Sequence, residues 1–247
     1  MNPTQEWTSS IQLAFDHFNE ALFNNQLPQV LFSSQRQSGV MGYFASDRWA
    51  SVNGKKCHEI AINPLYVGRS TLIEFMQTLV HEMVHCWQYC YGKPSIKSYH
   101  NRQWANKMIA IGLMPTSTGM LGGAITGQHI MDYPLAKGKF IISCEKLLKE
   151  KSFKMHWVDR FANNDGIEDD VEKLELLSEA FEGLDDIIVT QLTTRFDDFF
   201  GADVFANRVG NDKKKKVKYS CPSCKINVWG KAGLSISCDE CGYQLCS

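Results

Sequence analysis

Residues 71–91 limit the choices of this chain more than any other stretch. Leu72, Phe75, Met76, Leu79, Val80, Met83, Val84 and Trp87 recur at helical spacing and make a wide apolar face. Inside that helix sit His81, Glu82 and His85, in the order H-E-x-x-H. Ionisable groups in so apolar a helix cost free energy unless they have partners. His81 and His85 stand one turn apart on the same face, roughly 5–6 Å between Cβ atoms. Two imidazole nitrogens so placed converge on one zinc ion at about 2.0–2.1 Å. Glu82 lies too far round the helix to complete the ligand set. It is placed instead to take a proton from a water beside the metal. The bland alternative is a surface helix that happens to carry these three residues, and the apolar setting argues against it.

A catalytic zinc takes three protein ligands and leaves one position open. The extended pattern H-E-x-x-H-x-x-G-x-x-H is absent, because Gln88 and Tyr91 stand where its glycine and last histidine would be. His100 is the next histidine. It opens a second predicted helix, from Arg102 to Leu113, after a loop long enough to fold back. Ser98 is the expected cap of that helix, and Gly112 and Pro115 stop it. His17, His58, His129 and His156 compete for the third place. None of them lies on a helix directly following the first pair, and a structural role is the simpler reading of each.

Upstream, residues 7–24 read as a helix with Trp7, Ile11, Phe15, Phe18 and Leu22 on one face, ended by Pro28. Short strands with turns are expected from VLFSS to about Ala50, and IAINPLYV (60–67) reads as a further strand. Residues 117–134 read as a Gly- and Thr-rich loop, and KFIISC (139–144) as the start of a strand or an amphipathic helix. Asp165 to Asp186 is densely acidic around Val171, Leu174, Leu177 and Phe181, which predicts a solvated helix or a partly ordered connector. The 247 residues suit one sizeable domain plus a small one. The expected boundaries are a domain at 1–160, an acidic helical connector at 161–212 and a small module at 213–247.

That module rests on Cys221, Cys224, Cys238 and Cys241, two C-x2-C pairs separated by residues 225–237. Four thiolates at such spacing suit a closed, tetrahedral, structural zinc site, here a zinc ribbon with INVWGKAGLSIS as a hairpin between two knuckles. Zinc would supply much of the folding energy of so small a unit. Lys213, Lys214, Lys215, Lys216, Lys218, Lys225 and Lys231 offer phosphate contacts, and Tyr219, Trp229 and Tyr243 offer stacking faces. The competing reading is a structural cap with Trp229 as its small core. Of the nine cysteines, Cys57, Cys86, Cys90, Cys144 and Cys246 are scattered; Cys86 and Cys90 are expected to be buried helix residues and Cys246 to be spare. An odd count, with no basic-then-apolar start in MNPTQEWTSS, indicates a reducing compartment and no secretory signal. No apolar run reaches the roughly 20 residues needed to span a bilayer. The expected location is cytoplasmic, nucleoid-associated, or nuclear in a eukaryotic host, with no membrane partner. A net charge of −1 confines any nucleic-acid contact to a local patch.

HEMVHCWQ, a loop, and then SYHNRQWANKMIAIG resemble the SprT family, which includes the Spartan DNA–protein crosslink proteases. FNEALFNNQLP and the strand IAINP add to the match, which covers roughly residues 8–115 and, more loosely, 119–150. The resemblance implies an α+β fold: a zincin-like SprT metalloprotease domain, helices packed on a small sheet, followed by a zinc ribbon. It implies a zinc metalloendopeptidase with His81, His85 and His100 as ligands and Glu82 as general base. The family often has a glycine after the third histidine; here Asn101 takes that place, which bears on the local turn. Tyr133 and Arg102 are candidates to stabilise the oxyanion, though a structural role is the simpler reading of both. SprT-like proteins often pair the protease domain with a zinc ribbon or another DNA-binding element. That implies one catalytic and one structural zinc, DNA-bound or DNA-crosslinked protein substrates, and DNA binding without strong sequence preference. The alternatives are a transcription-related nucleic-acid-binding zinc protein whose zincin domain is not proteolytic, and a general intracellular peptidase.

Overall fold

A computed structural model describes residues 2–96, 99–162, 171–201, 204–205 and 217–246. It divides the chain into two units, 1–206 and 207–247. The first is α+β, with helices around small sheets and one apolar core. No helix among the described residues is long and apolar enough to cross a membrane.

The first helix, α1 (Pro3–Phe23), starts four residues before the apolar periodicity that betrays it. Asn2 caps it by accepting from the Gln5 backbone N–H, the Gln5 side chain answers to the Asn2 backbone, and Pro3 fills the first turn. It stops at Asn24, in the left-handed region at φ 55°, before Pro28 is reached. Ile11, Ala14, Phe15, Phe18 and Phe23 form its buried stripe.

Strands β1 (Leu31–Ser34), β2 (Gly42–Ala50) and β3 (Lys56–Ile62) form a sheet in the order β1-β3-β2. β1 runs parallel to β3 and β2 antiparallel to it, with an irregularity between Ala45 and Trp49. Ile60 and Ile62 enter the core. The strand expected over 60–67 ends at Ile62. Asn63 accepts from the Leu65 backbone N–H at 3.1 Å and caps the short helix α2 (Pro64–Val67). An asparagine–proline pair is a helix start as readily as a strand end, and here the cap wins.

Helix α3 (Leu72–Tyr91) opens on a capping box of Thr71 and Glu74 and buries Phe75, Met76, Leu79, Val80, Met83 and Val84. Helix α4 (Arg102–Ile111) is capped by Asn101, whose side chain accepts from the Trp104 backbone N–H; Ser98 lies outside the described residues. Gly112 ends α4 at φ 95°, where an added Cβ would sit 2.8 Å from the Lys139 nitrogen. The chain continues as β4 (Leu113–Thr116), which pairs antiparallel with β5 (Met131–Pro134). Part of the expected loop 117–134 is therefore a strand, and KFIISC opens a helix, α5 (Lys139–Lys151).

Helices α6 (Val171–Ala180), α7 (Asp186–Thr193) and α8 (Phe196–Phe200) occupy the stretch that reads as an acidic connector; residues 163–170, 202–203 and 206–212 of it lie outside the described residues. Ala180, Phe181, Ile188, Leu192 and Phe196 join the main core. Asp197 accepts from Arg69 at 2.8 Å, and the Phe196 backbone N–H donates to Ser70. Glu175, Glu179, Glu182, Asp185, Asp186 and Asp198 are exposed while sparse apolar residues anchor the helices, so charge density hid the packing. Leu192→Ala, at a fully buried position, should cost about 2–5 kcal/mol. Denaturant unfolding of the whole chain, followed on the main transition, measures it; a loss under 0.5 kcal/mol would return the segment to the status of a linker.

The second unit is built on β6 (Val217–Ser220) and β7 (Asn227–Gly230), which pair antiparallel. The expected hairpin within residues 226–237 does not form: β7 turns back onto β6, upstream of the first cysteine. Tyr219, Cys221, Cys238 and Leu245 make the small core of this unit. Tyr219 donates its hydroxyl to the Lys231 carbonyl and accepts from the Leu234 N–H. It is thus the core aromatic, and Trp229, 60% exposed, is not. Lys213 to Lys216 lie outside the described residues.

Candidate metal centre and cleft

The α3 helix delivers His81 and His85 one turn apart, with ring centroids 5.2 Å from each other. Asn101 delivers the third imidazole. It caps α4, donates its amide to the Lys93 carbonyl and the Ser95 hydroxyl, and accepts from Gln88 of α3 at 2.7 Å. The Asn101 side chain thus ties the loop before His100 to both helices. The His100 backbone is also paired in both directions with Gly127. As a result, Nε2 of His100 lies 3.2 Å from Nε2 of His81 and 3.2 Å from Nε2 of His85. Two nitrogens on one tetrahedral zinc at the usual bond length are roughly 3.3 Å apart.

The outer nitrogens fix what the inner ones can do. Nδ1 of His100 faces the Gly127 carbonyl at 3.1 Å, and Nδ1 of His81 faces the Asp132 carboxylate at 3.1 Å. Both acceptors require a donor, so each Nδ1 carries hydrogen and each neutral Nε2 turns a lone pair inward. One proton can bridge one pair and leaves the third lone pair facing the others. A divalent cation at the common point satisfies all three, so these residues fit zinc.

Asp132 is the functional residue that sequence reasoning missed. It reaches the site from β5, with its carboxylate held by the Gln77 amide at 3.1 Å. Gln77 lies one turn before His81, a spacing legible in the sequence; the pairing of β5 was not. Burial works against a charged His81, but the Asp132 hydrogen bond and the charge of Glu82 outweigh it and raise its pKa. Burial and the neighbouring imidazoles depress His85 well below the ordinary histidine range and His100 to about 4. Neutral imidazole is the form that binds a metal.

Glu82 is buried beside this cluster. Burial lifts its carboxyl to about 7, against the pull of His81 and of the Phe44 backbone N–H. Gly42, at the start of β2, lets that strand lie directly on α3: a Cβ there would meet Ala61 O at 3.0 Å, Thr78 Cγ2 at 3.1 Å and Glu82 Cγ at 3.5 Å. The three histidines and Glu82 lie in a cleft of about 1090 Å³ that is also walled by Tyr43, Phe44, Tyr99 and Met131. β2 is an edge strand of its sheet and borders this cleft.

The other histidines lie elsewhere. His17 is buried against Ser143, and His58 is ringed by Asp47, Phe44 and Tyr89. His156 is exposed. His129 lines the cleft but is not part of the three-nitrogen cluster. Tyr133 and Arg102, the candidates for oxyanion contact, are not among the residues lining the cleft. Cys86 is buried and its thiol pushed up, as an inert helix residue should be, while Cys90 is half-buried.

In the second unit, Cys221, Cys224, Cys238 and Cys241 bring their sulfurs within 4.8 Å of one another. Cys224 and Cys238 are 3.7 Å apart, close to the roughly 3.8 Å of a tetrahedral zinc thiolate. Each C-x2-C pair is followed by a left-handed residue, Lys225 at φ 62° and Gly242 at φ 68°, closing two matching knuckles. Burial opposes a Cys221 thiolate, but the backbone N–H groups of Cys224 and Ser223 and the facing thiols bring it down to about 7. Lys218 pairs directly across from Trp229, so a cation and an exposed indole share one face of the ribbon.

Residues 11–120 match the SprT-like family. A stretch of 47 residues is 43% identical to an uncharacterized protein in the mucB 3'region of Salmonella typhimurium. That stretch is 19% of this chain, and the chain spans 64% of that relative's length. No solved structure matches significantly. The fold and site define an α+β protein with two groups able to hold a metal ion, three histidines and four cysteines. The chain carries a SprT-like family domain at residues 11–120.

Proposed function

We propose that this chain is a zinc metalloendopeptidase acting on DNA-bound proteins. The observation that carries this reading is the convergence of three imidazole nitrogens next to the buried carboxylate of Glu82, on the floor of a cleft bordered by an edge strand. His81, His85 and His100 would hold the ion. When bound there, zinc supplies a Lewis acid and lowers the pKa of water toward about 7. Glu82 takes the proton of the attacking water and passes it to the leaving amine. Asp132 keeps His81 in the tautomer that points Nε2 inward. The wall of Tyr43, Phe44 and Tyr99 limits solvent around the scissile bond. A purely structural three-histidine site has no need of a buried base, which favours this reading over a non-proteolytic zincin.

The DNA part rests on the second unit, with Lys218 beside the exposed Trp229 on one face and further support from Lys225, Lys231 and the run Lys213 to Lys216. Lysines neutralise phosphates and lose affinity steeply with salt, and an indole stacks on unpaired bases. Binding of this kind raises the local concentration of a DNA-bound substrate without altering the chemistry at the cleft. The test compares wild type with the double variant Trp229→Ala/Lys218→Ala. Cleavage of a DNA-bound protein and of a free peptide is measured, with single-stranded and double-stranded DNA, at low and moderate salt. Chelation should stop both cleavages and added zinc restore them. The double variant should lose several-fold on the DNA-bound substrate alone. Retained DNA binding with no zinc-dependent cleavage would favour the non-proteolytic alternative, and equal rates on both substrates would remove DNA from the reading.

A further inference from the structure

Trp104 lies under all three imidazoles. Its ring centroid is 4.8 Å from that of His81, 5.3 Å from His85 and 4.3 Å from His100. It stacks on His85 and meets the other two edge to face. It is fully buried, and its indole nitrogen has no hydrogen-bond partner. An unsatisfied buried donor costs free energy. A phenylalanine would fill most of the same space without that cost. The indole carries an unpaired donor at the point where it meets the three imidazoles.

We propose that Trp104 is a positioning residue for the metal centre: its extended face sets the three imidazole planes before a cation arrives and then stabilises the charge they share. Two physical effects act together. A single-ring side chain covers less of the space beneath the three imidazoles, so without the indole the imidazoles regain rotational freedom that metal binding must then remove. The face of an indole also carries negative potential and favours a nearby cation, more so where water is excluded. The local sequence builds this arrangement. Asn101 caps α4 by accepting from the Trp104 backbone N–H, so the turn that presents His100 also seats the indole one helical turn later.

This inference rests on the three histidines binding a divalent metal, but not on proteolysis. The test uses the full chain titrated with cobalt. The two sites are told apart because thiolate ligation gives strong charge-transfer absorption and imidazole ligation does not. Trp104→Phe should weaken cobalt binding at the histidine site about tenfold or more. In the metal-free chain it should lower the melting temperature less than Met108→Ala does, because losing the unpaired N–H offsets part of the cavity cost. A merely structural role would make affinity follow stability. Met108→Ala, equally buried on the same helix, is the control: it should lower stability and leave cobalt affinity within about twofold. In wild type, cobalt at the histidine site should also quench a component of tryptophan fluorescence that Trp104→Phe lacks. Cobalt affinity within twofold of wild type in Trp104→Phe overturns the proposal, as does a loss of affinity matched by Met108→Ala. A chain that binds cobalt as described yet hydrolyses nothing keeps this inference and sinks the protease reading.

Discussion

Glu82→Gln is expected to reduce peptide hydrolysis by about 10²–10⁴-fold while leaving zinc at the histidine site. Glutamine keeps the shape of the side chain and an oxygen that can accept from the Phe44 N–H. It removes only the ability to take a proton. The ligands His81 and His85 flank it but do not depend on it for their orientation, which comes from Asp132 and the helix. Stability should not fall either. Burial raises the Glu82 carboxyl from its ordinary 4.5 to about 7, so the folded metal-free chain prefers the protonated form. The destabilising contribution of the carboxylate is absent below pH 4.5, grows as pH rises from 4.5 to 7, and is fully present above that. In the metal-free chain the glutamine variant should match wild type near pH 5 and melt higher near pH 8. Steady-state kinetics, zinc analysis and melting curves at those two pH values check the three parts. Turnover undiminished in the variant would end the mechanism; lost zinc would mean Glu82 also holds the site together.

The histidine pair and the carboxylate beside it were legible because their placement is local. His81, Glu82 and His85 fall on one helix, and their relative placement follows from 3.6 residues per turn alone. His100 was reached by its position after the helix and by family resemblance, and the structure brings its Nε2 within 3.2 Å of both partners. Asp132 was not legible, since it arrives through the pairing of Met131–Pro134 with Leu113–Thr116 across a long loop. Nothing in the local sequence singles out Trp104, and only the three ring distances do so. The acidic helices misled for another reason. The acidic reading covered Asp165 to Asp186 and stopped where Asp186–Thr193 begins, yet Ile188 and Leu192 of that helix are the buried anchors that dock it. The ribbon showed both sides of this. Its cysteine spacing named the four-sulfur cluster, but which aromatic forms its core depended on strand pairing: Tyr219, offered as a stacking face, is buried, and Trp229, the core aromatic of the competing reading, is exposed.

The two candidate metal centres should fail independently. Among the described residues of the ribbon, the buried apolar cluster holds Tyr219, Cys221, Cys238 and Leu245, and two of these four are cysteines of the metal set. Such a core cannot offset the conformational entropy of ordering thirty residues, at about 1–2 kcal/mol each. A structural zinc contributes apparent binding free energy of about 10–16 kcal/mol, which here is folding free energy. Cys238→Ser should therefore remove one zinc per chain and unfold the ribbon. Amide hydrogen exchange would show it as lost protection at the β6–β7 hydrogen bonds and at the knuckle bonds such as Gly242 N–H to Cys238 O. Hydrolysis of a free peptide should persist, because His81, Glu82, His85 and His100 all belong to the first unit. His100→Ala should do the reverse. It removes one of three ligands, so the other zinc and the hydrolysis are lost while ribbon protection is unchanged. Metal analysis, exchange and a peptide assay on the two variants give a two-by-two result. Loss of peptide hydrolysis in Cys238→Ser would mean the ribbon contributes to the catalytic site, and two zincs with full activity in His100→Ala would move the third ligand to His129, the other histidine in the cleft.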